Sequence, residues 1–348
     1  MSKRQKLSFF NFEGLPDEII LEIFSLLDIK GVLRCGQVSK RLRNISNDQC
    51  LWSKLNLSGR QVSYDFVEKA VQNGCEYLNL GFSWVHGGKN VEEPWKLKYL
   101  EMSQSSVEWD KCAHEVLEVV QNCHSLQKLS VDNHFLNSCK IEQICQNGET
   151  LKCLSLEGCD IDYYHQTELI QKLFTKCPQL TELNMFGNNN FLDQDICALV
   201  DNLATNILKV NLGNQKSVQD KHVNTLVHRC KKITELDLSS TSITNDSLEN
   251  IIHLKSLEKL DLVYTNIDLS SILQLKSIPT LKILLCFYGQ NKENTEKIKN
   301  LKQQLPHIRI NEDDFHIACS SKGVDNSIDP DWFWEIRAKQ QDLFPKVH

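Results

Sequence analysis

Fourteen cysteines and eleven histidines are the residues of this chain best equipped for chemistry. Their spacing decides what they can do. No two cysteines stand three apart, so the C-x-x-C ligand pair of a zinc site is missing and no metal is expected. Cys112 lies near His114, and Cys123 is followed by His124. Neighbours on a helix point in different directions, so Cys123 and His124 make a poor nucleophile-base pair. The stretch HGGK (86–89) lacks the earlier glycine of a phosphate-binding loop and is followed by Asn90 rather than Ser or Thr. G-x-S-x-G, H-E-x-x-H and the Gly-rich dinucleotide turn are absent too. The expectation is a protein without catalytic residues or cofactor.

Three of the cysteines have a regular place instead. Cys123, Cys177 and Cys230 each stand three residues ahead of an apolar residue, Leu126, Leu180 and Ile233. These apolar residues open copies of a repeat, L-x-x-L-x-L. It reads LKYLEM (97–102), LQKLSV (126–131), LKCLSL (151–156), LTELNM (180–185) and ILKVNL (207–212). It continues as ITELDL (233–238), LEKLDL (257–262), LKILLC (281–286) and LPHIRI (305–310), with degenerate copies WSKLNL (52–57) and CEYLNL (75–80). The middle apolar residues fall at 55, 78, 100, 129, 154, 183, 210, 236, 260, 284 and 308. Their spacing of 22 to 29 residues is that of leucine-rich repeats.

Between the copies lie stretches with helical apolar spacing, such as Leu169, Ile170, Leu173 and Phe174, or Val223, Leu226 and Val227. A strand and a helix per repeat predict an α/β fold, a curved parallel solenoid over 55–310 with strands on the concave face and helices on the convex face. In that frame the three cysteines are packing groups, since free cysteine behaves as a small hydrophobe. A nucleophile reading competes with this.

The segment ahead of the repeats, 13–54, is different. Pro16 suits a first helical turn, and Asp17 and Glu18 sit near the positive end of its dipole. Ile19, Ile20, Ile23, Phe24 and Leu27 follow at helical spacing; Val32, Leu33, Val38, Leu42 and Ile45 supply two further short apolar segments. So short a segment can bury little surface alone. Either it caps the solenoid or it docks a partner.

The run LPDEIILEIFSLL, then VSKR, then LW, resembles the F-box motif. An F-box followed by leucine-rich repeats is similar to the F-box/leucine-rich-repeat family. LWSKLNLSGR, LVHRCKKITELDLS, SIPTLKILLCFYG and LKQQLPHIRIN extend the likeness over nearly the whole chain. The resemblance implies three short helices that insert into the S-phase kinase-associated adaptor subunit of a cullin-RING ubiquitin ligase, and through it contact with cullin and RING subunits. By position, the adaptor face would comprise Leu15, Pro16, Ile19, Ile23, Phe24, Leu27, Leu33, Val38, Leu42, Leu51 and Trp52. Leu42 stands where the family commonly has tryptophan. In such ligases the F-box protein selects a protein substrate and leaves ubiquitin chemistry to other subunits.

Residues flanking each middle leucine are expected on the concave face, with charges of both signs and no arginine cluster. Toward the C-terminal end Val263, Tyr264, Ile283, Leu285 and Phe287 suggest an apolar patch needing a cover, either the chain's own tail or a partner. The tail, 311–348, leaves the repeat period; Asp329 and Pro330 would start a short helix presenting Trp332, Phe333 and Ile336, and Trp332, Phe333 and Trp334 are candidate partner contacts. In the resembled family such a tail folds back over the concave face. There it helps form the site of a cyclin-dependent-kinase-subunit accessory protein that reads a phosphorylated substrate.

The net charge of −6 argues against nucleic acid or a membrane surface as partner. No apolar run approaches a membrane span, and residues 1–12 read as a solvated start, with MSKRQK a weak nuclear-import signal. Nucleus or cytoplasm is the expected location.

Overall fold

In the computed structural model, residues 14–86, 94–103, 119–286 and 292–311 are described. Four short helices open the chain: α1 (Asp17–Ser25), α2 (Ile29–Gly36), α3 (Lys40–Ser46) and α4 (Gln49–Trp52). Polar side chains start three of them. Asp28 accepts from the Gly31 N–H, Ser39 from Leu42 and Asp48 from Cys50, which satisfies amide groups a helix start leaves unpaired. Ile20, Phe24, Val32 and Ile45 form a small core between them.

The repeats follow. Eleven strands form one parallel sheet: β1 (Lys54–Asn56), β3 (Tyr77–Asn79), β5 (Tyr99–Glu101), β6 (Lys128–Ser130), β8 (Cys153–Ser155), β10 (Glu182–Asn184), β11 (Lys209–Asn211), β12 (Glu235–Asp237), β13 (Lys259–Asp261), β14 (Ile283–Leu285) and β15 (Arg309–Ile310). Two small parallel pairs sit beside it, β2 (Gln61–Ser63) with β4 (Trp84–His86), and β7 (Phe135–Leu136) with β9 (Asp160–Ile161). The returning helices are α5 (Tyr64–Gln72), α6 (Ser138–Cys145), α7 (Gln166–Lys176), α8 (Asp193–Asn202), α9 (Asp220–Arg229), α10 (Asn245–Ile251) and α11 (Lys292–Gln304), with a 3-10 turn at Ser271–Ser277. No helix among the described residues is long and apolar enough to cross a membrane.

Ten middle residues of the repeat fall in strands and pair in register, Leu55 with Leu78 and onward to Leu284. The eleventh differs from expectation. Leu284 pairs with Ile310, not Ile308. Because side chains alternate along a strand, a slip of two keeps Ile308 and Ile310 both inward and leaves the burial pattern intact. Apolar periodicity alone therefore does not report it.

Seven of the eleven strands end in the same turn. Side-chain oxygens of Asn56, Asn79, Glu101, Asn184, Asn211, Asp237 and Asp261 each accept the backbone N–H two residues on, at 2.8–3.1 Å. A left-handed residue comes next: Gly59, Phe82, Asn133, Gly158, Gly187, Asn214, Ser240 and Tyr264 all have φ between 54° and 73°. Five of these eight carry a Cβ in a conformation that L-residues disfavour, so packing and the side-chain turn must hold it.

The core is continuous along the solenoid and begins inside the helical module. Trp52 belongs to the same cluster as Leu55, Leu78 and Leu100, and Ile29, Leu33 and Leu51 pack against it. Cys123, Cys177 and Cys230 are all within that core. Burial pushes their thiols up, to about 12 for Cys177 and about 11 for Cys230. They are poor thiolates in this setting.

Candidate functional site

The first candidate surface is the helical module. Its motif residues divide by burial. Ile19 (42 % exposed), Leu27 (41 %) and Val38 (75 %) face solvent, Pro16 is exposed, and Leu15, Ile23, Leu33, Leu42 and Leu51 are half-buried. Phe24 and Trp52 face inward and are corrected as surface contacts. Phe24 fills the small core, and the Trp52 ring fills the end of the repeat core with its indole N–H donating to the Ser46 carbonyl at 2.7 Å. A buried indole N–H needs such a partner.

Sequence reasoning missed Leu26, the most exposed large apolar residue here at 83 %. The doubled leucine was the signal: with Phe24 buried, a residue two on points away from the core. Arg41 was missed as well. Its guanidinium bonds the Asp17 carboxylate at 2.5 and 2.7 Å and the Leu15 carbonyl at 2.5 Å, tying the start of α1 to α3. The motif's basic residue thereby holds Leu15 and Pro16 in place.

At the other end of the sheet three residues of the expected apolar patch are buried. Val263 is fully buried, Ile283 is 5 % exposed and Leu285 is 2 % exposed. Ile283 and Leu285 line a narrow concave pocket with Lys259 and Asp261. Among the described residues of that set, Tyr264 is open, at 62 %. Phe287, Trp332, Phe333 and Trp334 lie outside the described residues, as do the expected tail helix and residues 312–348.

A third cluster joins Asp193, Cys197 and His222 on the convex side, with potential ligand atoms within 4.8 Å of one another. Its chemistry does not suit a metal. The Gln219 N–H donates to His222 Nδ1 at 3.0 Å, so the ring proton is on Nε2, which faces Asp193 at 3.3 Å. Asp193 is paired with Lys221 at 2.5 Å, whose hydrogen bond is the main cause of its lowered pKa. His222 acts as a helix cap, with no nitrogen lone pair left to give.

Comparison with known proteins agrees with this division. The profile described as F-box-like matches residues 12–58. The profile of the SKP2 LRR domain matches residues 66–341. The chain belongs to the family of F-box proteins with SKP2-type leucine-rich repeats.

Among curated relatives, human F-box/LRR-repeat protein 12 is 22 % identical over 285 residues, 79 % of this chain and 78 % of that protein. Human F-box only protein 15 is 29 % identical over 98 residues, 27 % of this chain and 18 % of that protein's length. The crystal structure of an internalin, InlF of Listeria monocytogenes, aligns with a TM-score of 0.44 and 15 % identity over 81 % of this chain and 93 % of that one.

In this F-box/leucine-rich-repeat protein the concave face is more selective than its sequence suggested. Residues just after each middle leucine were expected to face a ligand. Most are buried: Asn79, Glu101, Ser130, Ser155, Asn184, Asn211 and Asp261 are each at most 8 % exposed. The turns consume them. The preceding row supplies most of the open face, and its C-terminal half neutralises itself. Lys209 lies 3.8 Å from Glu182 and 3.4 Å from Glu235, and Lys259 lies 3.5 Å from Glu235.

Beneath that row, Asp261 has its pKa pushed up to about 8, by burial first and by the charge of Asp237 second. The folded state thus holds a proton that the unfolded chain, near 3.8, releases. Its contribution is therefore lost as pH rises between about 4 and 8. Asn211 shows that an amide serves the same turn. Asp261→Asn is expected to raise the melting temperature by about 2 °C or more at pH 8, with a smaller gain at pH 5. An equal shift at both pH values in thermal unfolding would show that Asp261 is ionised in the fold.

Proposed function

We propose that this chain is the substrate-recognition subunit of a Skp-cullin-F-box ubiquitin ligase. The helical module docks a Skp1-type adaptor, and the solenoid with its tail presents a protein substrate for ubiquitination and proteasomal degradation. The chain acts as a receptor, and the chemistry belongs to the conjugating enzyme recruited by the RING subunit. The substrate class we propose is a phosphorylated cell-cycle protein, read with a cyclin-dependent-kinase-subunit accessory protein, in nucleus or cytoplasm.

The observation that carries this reading is the exposure of Ile19, Leu26, Leu27 and Val38 on a module whose other large apolar groups are already used. A module serving only as a cap would have no reason to hold Leu26 and Val38 in water, with Trp52, Leu33 and Leu51 already covering the end of the repeat core. Capping and docking are thus different sides of one module.

Co-purification with a Skp1-type adaptor tests it. The wild-type chain should coelute with the adaptor and remain bound at high salt, because the anchors are apolar. Leu26→Asp/Val38→Asp should weaken the complex by about 100-fold or more, as burying unpaired charge at an interface core does. Its melting temperature should be unchanged. A folded wild-type chain that fails to coelute would make the protein a repeat scaffold outside any ligase.

A further inference from the structure

The N-terminal half of the concave face carries a row unlike the rest. Lys54, Tyr77, Tyr99 and Lys128 occupy one register position on four adjacent strands, β1, β3, β5 and β6. The two phenol rings are stacked at 4.2 Å between centroids and 8° between planes. Lysine ammonium groups close the stack at both ends, Lys54 at 5.1 Å from the Tyr77 centroid and Lys128 at 5.7 Å from that of Tyr99. This position holds two cations and no carboxylate across the four strands. From β10 to β13 the same position alternates Glu182, Lys209, Glu235 and Lys259.

The contacts define what such a row can hold. Each ring face is taken by its neighbour or by an ammonium group, so no face is left for an apolar or aromatic ligand to stack on. The edges and hydroxyls remain. Each phenol hydroxyl stands at a ring edge and has a proton to donate outward. A phenol donor between two ammonium groups suits an oxyanion. The lysines already rest on the rings, so part of the entropy of ordering them is lost before binding. Two carboxylates near the row are engaged elsewhere: Glu76 pairs with Lys98 at 2.8 Å, and Glu101, two residues along β5, accepts the Ser103 N–H at 2.8 Å.

We propose that the Lys54–Tyr77–Tyr99–Lys128 row is a docking site for an acidic peptide segment, with one carboxylate over the phenol pair and others toward the lysines. Three strand spacings separate the lysines by about 14 Å, the length of about four extended residues. The proposal deepens the receptor reading and rests on it only for taking the segment to be part of a substrate.

Fluorescence anisotropy on the full chain tests it, with a fluorescein-labelled decapeptide of alternating Glu and Ser and its Gln-for-Glu counterpart. Saturable binding of the Glu peptide alone is expected. Lys54→Ala/Lys128→Ala should weaken it about tenfold, equivalent to about 1.4 kcal/mol. Tyr77→Phe/Tyr99→Phe, which keeps the stack, should weaken it less. Lys209→Ala/Lys259→Ala should leave it unchanged. Absence of saturable binding to the wild-type chain overturns the proposal, and so does equal weakening by both lysine pairs, which would report only a diffuse positive field. Adaptor coelution of the same preparation separates the two ideas: coelution without peptide binding rejects the row alone, and peptide binding without coelution rejects the ligase reading alone.

Discussion

Trp52→Ala is expected to destabilise the chain by about 3–5 kcal/mol, the cost of emptying a large aromatic site in a close-packed core. The ring is fully buried and sits where two cores meet. On one side are the repeat leucines from Leu55 onward; on the other, Leu51 touches both the repeat core and the small cluster of Ile20, Phe24, Val32 and Ile45. Removing the ring should uncouple the two. Amide exchange should then speed up through α1–α4 and β1, while strands β10 to β13 keep their protection, because repeats contact mainly their neighbours. Trp52→Phe retains most of the ring and loses the indole bond to Ser46, so it should cost about 1–2 kcal/mol. An alanine variant with uniformly faster exchange would show that module and solenoid unfold as one unit.

The second large effect is centred on Asp132, which is 2 % exposed. One carboxylate oxygen accepts from the hydroxyls of Ser103 and Ser130 at 2.8 and 2.7 Å. The other accepts from the Ser155 hydroxyl at 2.6 Å and the Glu157 N–H at 2.8 Å. This one side chain ties together the exits of β5, β6 and β8. Asp132→Ala leaves two hydroxyls and an amide without an acceptor in a buried site, since Ser103 and Ser130 can still bond each other at 2.8 Å, and should cost about 3–5 kcal/mol. Asp132→Asn keeps one acceptor oxygen but turns an NH2 toward hydroxyl groups, so an intermediate loss is expected. Urea unfolding of the three proteins measures the order. A loss below about 1 kcal/mol for alanine would mean that water reaches the site and replaces the carboxylate.

Both effects arise from residues whose importance was only partly legible. Trp52 was read from its motif position as a partner contact. The motif marks an apolar residue, but its direction is set by α4 leading straight into β1, which turns the ring onto the repeat core. Asp132 drew no attention, since an aspartate just past a strand has the composition of a solvated turn. Its role exists only because Ser103, Ser130 and Ser155, far apart in sequence, are brought around it by strand pairing. The same holds for Tyr77 and Tyr99, which are 22 residues apart yet stacked because β3 and β5 are neighbours.

What the sequence by itself determined is everything that depends on local periodicity. The repeat of L-x-x-L-x-L placed ten strands to the residue, because alternation along a strand and the return length of a helix are properties of a short stretch of chain. The cysteines before the strands and the proline and acidic start of α1 were legible for the same reason. Tertiary structure alone decided which apolar motif residues face out, as Leu26 does, and which are spent inside, as Phe24 and Trp52 are. It also decided the slip of β15, and that side chains just after the middle leucines close turns at seven of the strands. Exposure is set by what packs against a side chain, and in a solenoid that neighbour comes from a repeat more than twenty residues away.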